Sequence, residues 1–241
     1  MRIKKNIGFL LVILITLLRS ENSRNDLFQI LKNDNINHIQ MTSGNIITII
    51  SGKFSPKRSD IDVRDIEIFC ISIEKFLSQN SFTEDFIYQK TQSSISGSKH
   101  FRYQQLYNGI PVQGRFLDIH CNTHHQISSL SNDYQLIEDV NVVPRIIPKM
   151  ALNLVKKKTD DILLKKANPE LIIYTYKSAP ILAYSIRLIS RYDSKKIVVD
   201  ASSGEVINIF SLIYFEGPIL GSGENLLGEW VDSLYVYEGV D

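Results

Sequence analysis

The sequence has almost no net charge, since 27 Lys and Arg residues face 26 Asp and Glu residues and leave a formal charge of +1 at pH 7. Without a long-range field the chain cannot recruit nucleic acid or an acidic membrane, so its partners must be recognised by shape. It also lacks strict short repeats and low-complexity tracts, and an apolar content of 44% argues against wholesale disorder. A chain of 241 residues with these features predicts one large domain or, preferably, two small ones.

Cysteine is nearly absent, because Cys70 and Cys121 are the only two in the sequence. In an oxidising compartment the two could form a disulfide. Two small buried side chains are the simpler interpretation, since sequence alone cannot bring their Cα atoms within bridging distance.

The sequence has no apolar run long enough to span a membrane. Basic residues at positions 2, 4 and 5 precede an apolar run from Ile7 to Leu18, which is shorter than the roughly 20 residues that a spanning helix needs. Residues 1–20 are therefore predicted to be a secretory signal peptide, which makes the protein secreted or extracytoplasmic and limits membrane contact to this segment. No small-x-small cleavage site follows Leu18, so an uncleaved N-terminal anchor is the alternative.

A zinc-peptidase site is missing as well. Such sites hold the metal with two histidines one helical turn apart in His-Glu-x-x-His, where the Glu activates the bound water. None of the five histidines lies in this pattern: His38, His100, His120, His124 and His125. The cluster at 120–125 carries imidazoles and a thiol that could bind a metal, but a polar β-turn explains it more simply, because adjacent strand residues point to opposite faces. No catalytic and no metal-binding residue is predicted in this chain.

The apolar pattern predicts an α+β fold with two small helix-plus-antiparallel-sheet domains. Residues 21–59 are rich in Asn, Ser, Asp and Lys, which predicts an irregular lead-in. Apolar residues at three- and four-residue steps then predict a helix between residues 61 and 77. A strand over Lys99–Tyr107 leads into Asn108-Gly109, the strongest short hairpin signal, and two further strands complete a meander.

A second domain is predicted after the two prolines at positions 144 and 148, with a boundary near 140–147. Pro148 is suited to the first position of a helix that carries Ala151 and Val155. Four strands are predicted beyond it, at Leu171–Tyr176, Ile181–Ile189, Lys196–Val199 and Val206–Leu212. Asp200 to Gly204 has the composition of a turn between the last two strands.

The stretch from His100 to Gly114 closely resembles the signature of the fungalysin/thermolysin propeptide motif. The residues that carry the resemblance are His100, Arg102, Tyr103, Gln104, Tyr107, Asn108, Gly109, Ile110, Pro111, Val112 and Gly114. Pro111 is expected to stiffen the start of the return strand, and Gly114 to permit a bulge or a close backbone approach. His100 and Arg102 either have a structural role on one strand face or contact a bound enzyme.

Two later segments add to this resemblance. Ala183–Arg187 followed by Val198–Val206 is similar to a PepSY domain, the usual second module of such pro-regions, with Asp200 and Gly204 in its turn. Gly221–Gly228 resembles the Gly-rich opening of the mature peptidase domain. A dinucleotide-binding loop is disfavoured there, because the third glycine is misplaced and no βαβ unit surrounds it.

Together the resemblances imply the pro-region of a secreted thermolysin-like zinc metalloendopeptidase of the M4, bacillolysin type. They imply a propeptide-like domain at 60–140, a PepSY-like domain at 145–215, and a junction with the beginning of a truncated peptidase domain at 217–241. The implied partner is the cognate peptidase domain, in cis or in trans, which the pro-region would help to fold and would inhibit. Zinc and calcium would belong to that absent domain, and no small-molecule cofactor is expected here.

The implied processing junction is glycine-rich and is expected to be open to proteases. Its residues are Phe215, Glu216, Gly217 and Gly221. The alternative functions are a free-standing exported protease inhibitor and a peptide-binding module that adds a strand at a sheet edge.

Overall fold

The computed structural model describes residues 36–54, 60–158, 167–177, 179–189, 194–212, 219–224 and 230–236. The described helices are α1 (Val63–Ser72), α2 (Phe82–Asp85) and α3 (Pro148–Lys158), and a 3-10 turn at Glu74–Phe76 follows α1. The strands are β1 (Ile36–Met41), β2 (Ile47–Phe54), β3 (Phe86–Ser93), β4 (Lys99–Tyr107), β5 (Ile110–Cys121), β6 (Ile127–Asn132), β7 (Glu170–Tyr176), β8 (Ala179–Leu188), β9 (Lys195–Asp200), β10 (Val206–Ser211), β11 (Ile219–Glu224) and β12 (Trp230–Val236). The predicted α+β class is confirmed.

The chain divides into two compact units. The first comprises residues 1–144 and 171–183, and the second comprises residues 145–170 and 184–241. A division at 144/145 lies in the range that the prolines suggest. The first unit nevertheless includes β7, because Val112 of β5 pairs in parallel with Ile173 of β7. The sequence placed β7 in the second domain and predicted antiparallel sheets only, since a local pattern does not reveal a long-range strand partner.

In the first unit, six strands form an antiparallel sheet in the order β1-β2-β6-β5-β4-β3. Successive residues of each strand point to opposite faces of the sheet. One face carries a row of directly opposed side chains, Ile50, Leu130, Ile119 and Phe101, and each of these is exposed by 1% or less. This buried face is the hydrophobic core of the unit.

Helix α1 lies against this core. It begins with a capping box, in which the Asp62 carboxylate accepts from the Asp65 backbone N–H and the Asp65 carboxylate accepts from the Asp62 N–H. Its buried residues Ile66, Phe69 and Cys70 belong to the same core cluster as the sheet residues. The predicted helix is confirmed, although its last turn tightens to 3-10 geometry after Ser72.

The prediction of an irregular lead-in over residues 21–59 is wrong for residues 36–54, which form β1 and β2. Ile47, Ile50 and Phe54 are buried, and β2 pairs with β6. The apolar residues of this segment are interspersed with Asn, Ser and Thr, so its strand pattern in the sequence is weak. The segment forms strands because β6 supplies β2 with a pairing partner. Residues 21–35 and 55–59 lie outside the described residues.

In the second unit, α3 begins at Pro148. The four predicted strands are present as β7, β8, β9 and β10, of which β7 belongs to the first unit. The segment before α3 is fixed by hydrogen bonds from the backbone N–H groups of Arg145 and Ile146 to the Ala201 carbonyl, at 2.9 and 3.1 Å. The Tyr184 hydroxyl donates to the Ile146 carbonyl at 2.9 Å. These contacts join the segment before α3 to the turn after β9 and to β8.

Both cysteines are free and buried, so the disulfide alternative is not realised. Burial raises the pKa of Cys121 to about 12 and holds the pKa of Cys70 well above its ordinary value, so both thiols are protonated at neutral pH. Among the helices of the described part, none combines the length and the apolar content needed to cross a bilayer. Residues 1–20, the predicted signal peptide, are outside that part.

Candidate functional site

The eleven residues of the predicted motif lie on one hairpin, formed by β4, the turn at Asn108-Gly109 and β5. Tyr107 and Ile110 are directly opposite across the turn. Asn108 has φ 47° and Gly109 has φ 77°, and positive φ at both central residues is the requirement of a type I′ turn. The predicted hairpin is confirmed, and its two-residue turn matches the twist of the strands that it joins.

Replacing Gly109 with alanine is expected to lower the free energy of unfolding by about 1–2 kcal/mol, because a side chain in the left-handed region is strained. Chemical denaturation of the full chain measures this change. The matched control is Gly44→Ala in the β1–β2 turn, where φ lies outside that region and the nearest atom, Thr42 Oγ1, is 3.7 Å from the added Cβ. The Gly44 variant should be neutral within about 0.5 kcal/mol. An equal loss in both variants would show that the turn geometry of Gly109 is not special.

The motif strand β4 has two chemically different faces. Phe101 and Tyr103 point into the core and are each 1% exposed, and the Tyr103 ring lies 5.3 Å from the Phe82 ring centroid in an edge-on contact. His100 and Arg102, their neighbours in sequence, point to the other face of the sheet. The motif therefore specifies a buried aromatic pair and an outward polar pair at the same time.

The outward side of the sheet is here called the open face. Directly opposed pairs place its members in two rows across the six strands. The first row is His38, Ser51, Ser129, His120, His100 and Gln92. The second row is Gln40, Ile49, Ser131, Asp118, Arg102 and Lys90. Eleven of the twelve members are polar and Ile49 is the exception, so the open face offers hydrogen bonds and charges, whereas the core row on the opposite face offers only packing.

An ion pair lies at the centre of the second row. Arg102 Nε donates to Asp118 Oδ1 at 2.7 Å and Arg102 Nη2 donates to Asp118 Oδ2 at 2.8 Å, a bidentate arrangement. The guanidinium carbon also lies 4.7 Å from the centroid of the Phe116 ring. Hydrogen bonding to Asp118 raises the pKa of Arg102. Both side chains keep some solvent exposure, so the pair orients the arginine more than it stabilises the fold.

A histidine pair lies next to it in the first row. The Nδ1 atoms of His100 and His120 are in hydrogen-bond contact, and the ring centroids are 4.6 Å apart with an interplanar angle of 79°. Burial is the main cause of a lowered pKa at His120, and repulsion from His100 adds to it. No group of three or more metal-binding side chains occurs within the described ranges.

A three-residue bulge in β5 creates these pairs. Leu106 is opposite Pro111 and Gln104 is opposite Phe116, so two steps along β4 correspond to five along β5. Without the extra residues, the turn register would place Arg102 opposite Arg115. Because three is odd, the bulge also exchanges the two faces of β5 beyond it. Asp118 and His120 reach the open face for this reason, and sequence reasoning did not assign a role to Asp118.

Gln104 holds the bulge together. It is 7% exposed, and its Nε2 donates to the Val112 carbonyl at 2.6 Å and to the Arg115 carbonyl at 2.7 Å. Gly114, within the bulge, has φ 74° and no atom within 4 Å of the position that a Cβ would take. Of the two predicted roles of Gly114, the bulge is therefore correct and the close backbone approach is wrong.

The segment after β6 is fixed by a second motif glutamine that the sequence analysis did not single out. Gln105 is 1% exposed, its Nε2 donates to the Gln135 carbonyl at 2.6 Å, and its Oε1 accepts from the Gln135 N–H at 2.9 Å. The Gln105 carboxamide thus forms two hydrogen bonds with the backbone of Gln135, one to its carbonyl and one from its N–H, as the backbone of a neighbouring strand does. A Gln-Gln pair in a strand gives no signal that distinguishes it from a solvent-exposed pair.

The other predicted site residues lie in the second unit. Asp200 Oδ1 accepts from the backbone N–H groups of Ser202 and Ser203, and Gly204 has φ 79°, so the predicted turn is present. Gly221 lies in β11 and pairs with Leu234 of β12, and its place in a processing junction stays a prediction. Phe215, Glu216 and Gly217 lie outside the described residues.

Comparison with known families agrees with the extent of this hairpin region. The profile of the Fungalysin/Thermolysin Propeptide Motif matches residues 84–134, which begin in α2 and end just after β6. Residues 84–134 carry the Fungalysin/Thermolysin Propeptide Motif. The predicted resemblance at residues 100–114 is thereby confirmed, and the propeptide motif corresponds to the part of the sheet that contains the bulge, the ion pair and the histidine pair.

Two individual proteins are similar over longer stretches. Bacillolysin of Brevibacillus brevis is 25% identical over 173 residues, which cover 65% of this chain and 32% of the bacillolysin. The chain thus matches about a third of the length of that relative.

A solved structure, the C-terminal domain of YpeB from Bacillus megaterium, has a TM-score of 0.42 and 13% identity, over 80% of this chain and 97% of that domain. A TM-score of this size describes a loose likeness of architecture. The resemblance of residues 183–206 to a PepSY domain stays a prediction.

Proposed function

We propose that this chain is the pro-region of a secreted thermolysin-like zinc endopeptidase and acts as an intramolecular chaperone and inhibitor of the catalytic domain. The observation that carries the proposal is the propeptide motif, whose limits at residues 84 and 134 enclose β3, β4, β5 and β6 completely. The similarity to bacillolysin supports the same function.

The chemistry of this part of the chain suits binding better than hydrolysis. The sequence contains no His-Glu-x-x-His, so zinc and calcium are proposed to belong to the peptidase domain. The open face offers an oriented guanidinium at Arg102 and two rows that contain hydroxyl, amide and imidazole groups. Such a face forms specific contacts with a folded partner without any chemical step.

A pro-region of this kind acts through linked equilibria. If it binds the folded peptidase domain and not the unfolded chain, mass action shifts the folding equilibrium toward the folded enzyme. Covalent linkage raises the effective concentration of the pro-region at its binding site. The same contacts inhibit the enzyme until they are removed. We propose export through residues 1–20 and processing near Phe215, Glu216, Gly217 and Gly221.

The proposal is tested with the peptidase domain of a bacillolysin, prepared without its own pro-region. Adding the full chain should inhibit the native domain in a saturable manner and should increase the activity recovered after the denatured domain is diluted into buffer. A variant with a destabilised first unit, Phe101→Ala, should do both less effectively. If the wild-type chain neither inhibits the domain nor aids its refolding, the proposed function is wrong.

The same assay separates the alternatives. A free-standing exported inhibitor would inhibit the native domain and leave the refolding yield unchanged. A peptide-binding module would leave both unchanged and would bind extended peptides at a sheet edge. The outer edge of β3 is the relevant position, since β3 pairs only with β4 within the described strands.

A further inference from the structure

The propeptide motif contains one contact that cannot survive full protonation. His100 and His120 are directly opposite on β4 and β5, and their Nδ1 atoms share a hydrogen bond. One imidazole must therefore present an N–H at Nδ1 and the other a lone pair. The pair can accept one proton and keep this bond, because an imidazolium donates to a neutral ring. A second proton removes the last lone pair and leaves two cations in contact.

The surroundings of the pair oppose the second proton. On β4 and β5 the neighbouring row holds Arg102 and Asp118, and the Asp118 carboxylate already accepts two hydrogen bonds from the guanidinium. The side chains directly beside the pair, Gln92 on β3 and Ser129 on β6, are uncharged. Lys90 on β3, opposite Arg102, adds a further positive charge to the face. No carboxylate free of an ion pair is placed in these two rows to balance a doubly charged pair.

Acid is therefore expected to destabilise this contact in the folded chain. In the unfolded chain, histidines take up protons near their ordinary pKa of about 6.5. In the folded chain, the pKa of His120 is lowered, so His120 takes up its proton only at a lower pH. Below about pH 6.5 the unfolded state therefore binds more protons than the folded state. Folding becomes less favourable as the pH falls through this range. Because the two sites are coupled, the protons enter in two steps that belong to the pair.

We propose that the His100–His120 pair is an acid-sensitive latch of the propeptide motif, which joins β4 to β5 at neutral pH and opens when both rings are protonated. This inference rests on the proposed function, and it predicts that inhibition of the peptidase domain weakens at mildly acidic pH. The geometry distinguishes this pair from His38, which is in the same row but lies on the outer strand β1, three strands away from His120.

The latch itself is tested on the full chain alone. Imidazole nitrogen resonances, followed by NMR from pH 8 to pH 4, should show one Nδ1-protonated and one Nε2-protonated ring at neutral pH. The second proton should enter the pair about one pH unit or more below the ordinary histidine value of about 6.5. Uptake of both protons in a single step near that ordinary value would overturn the latch. This result does not depend on any partner.

The consequence for binding is tested with the same bacillolysin peptidase domain at pH 7.5 and pH 5.5. The inhibition constant of the wild-type chain should rise about tenfold more between these pH values than that of His120→Gln, whose carboxamide keeps a hydrogen bond to His100 without a second proton. His38→Gln should behave as wild type, and thermal melts at pH 7.5 establish that both variants fold. An equal rise in wild type and His120→Gln would overturn the regulatory inference. Absence of inhibition by the wild-type chain at both pH values would instead contradict the proposed function, while the NMR titration still decides the latch.

Discussion

Gln104→Leu is expected to lower the free energy of unfolding by about 2–4 kcal/mol, because it leaves the Val112 and Arg115 carbonyls without the donor that now satisfies both. Leucine fills a similar volume, so the loss reports the hydrogen bonds and not a cavity. The bulge should relax at the same time, which would move Arg102 away from Asp118. Chemical denaturation measures the first effect, and NMR of the Arg102 side chain measures the second.

Two further variants test this interpretation of Gln104. Gln104→Glu keeps the shape but replaces the donor with a carboxylate that faces two carbonyl oxygens, so its loss should be at least as large. Gln92→Leu changes the same residue type at an exposed position of β3 and should be neutral within about 0.5 kcal/mol. If the free energy of unfolding of Gln104→Leu lies within about 1 kcal/mol of the wild-type value, the bulge does not depend on this carboxamide.

Phe101→Ala is expected to have the larger effect, a loss of about 3–5 kcal/mol, because the side chain is 1% exposed in the core row and its removal leaves a cavity. A first unit at the lower end of ordinary stability, about 5 kcal/mol, would be brought close to its unfolding midpoint by this change. Thermal unfolding followed by circular dichroism measures it. The loss of inhibition in the peptidase assay should follow from the same unfolding.

The neighbouring residue provides the control for Phe101. Arg102→Ala truncates a long side chain one position further on, but on the open face, and should cost about 1 kcal/mol or less. The contrast between adjacent positions tests the strand alternation directly. Similar losses in the two variants would contradict the assignment of the two faces.

The sequence predicted the motif hairpin well because its signals are local. Asn108-Gly109 specifies a turn with positive φ at both residues, and no distant contact is required for that preference. Helix α1 was predicted from its apolar spacing, and its capping box at Asp62 and Asp65 is formed by neighbouring residues. The Asp200 turn is likewise complete within five residues.

The candidate site could not be predicted to the same extent. Counting outward from the turn places His100 opposite Leu117 and Arg102 opposite Arg115, whereas the structure places them opposite His120 and Asp118. The difference is the bulge, and its cause is a buried carboxamide whose acceptors are backbone carbonyls eight and eleven residues away. Sequence patterns report side-chain types and do not report which backbone groups a side chain will satisfy.

The sequence alone determined the composition of the motif strand, the turn that reverses it and the alternation that separates Phe101 from Arg102, because each depends on residues within one or two positions. Only the tertiary structure decided the strand partners, the inclusion of β7 in the first unit and the odd-numbered bulge that brings His120 and Asp118 to the open face. The physical reason is that pairing and register are settled by burial of the whole core row and by satisfaction of backbone hydrogen bonds, which join segments far apart in the chain.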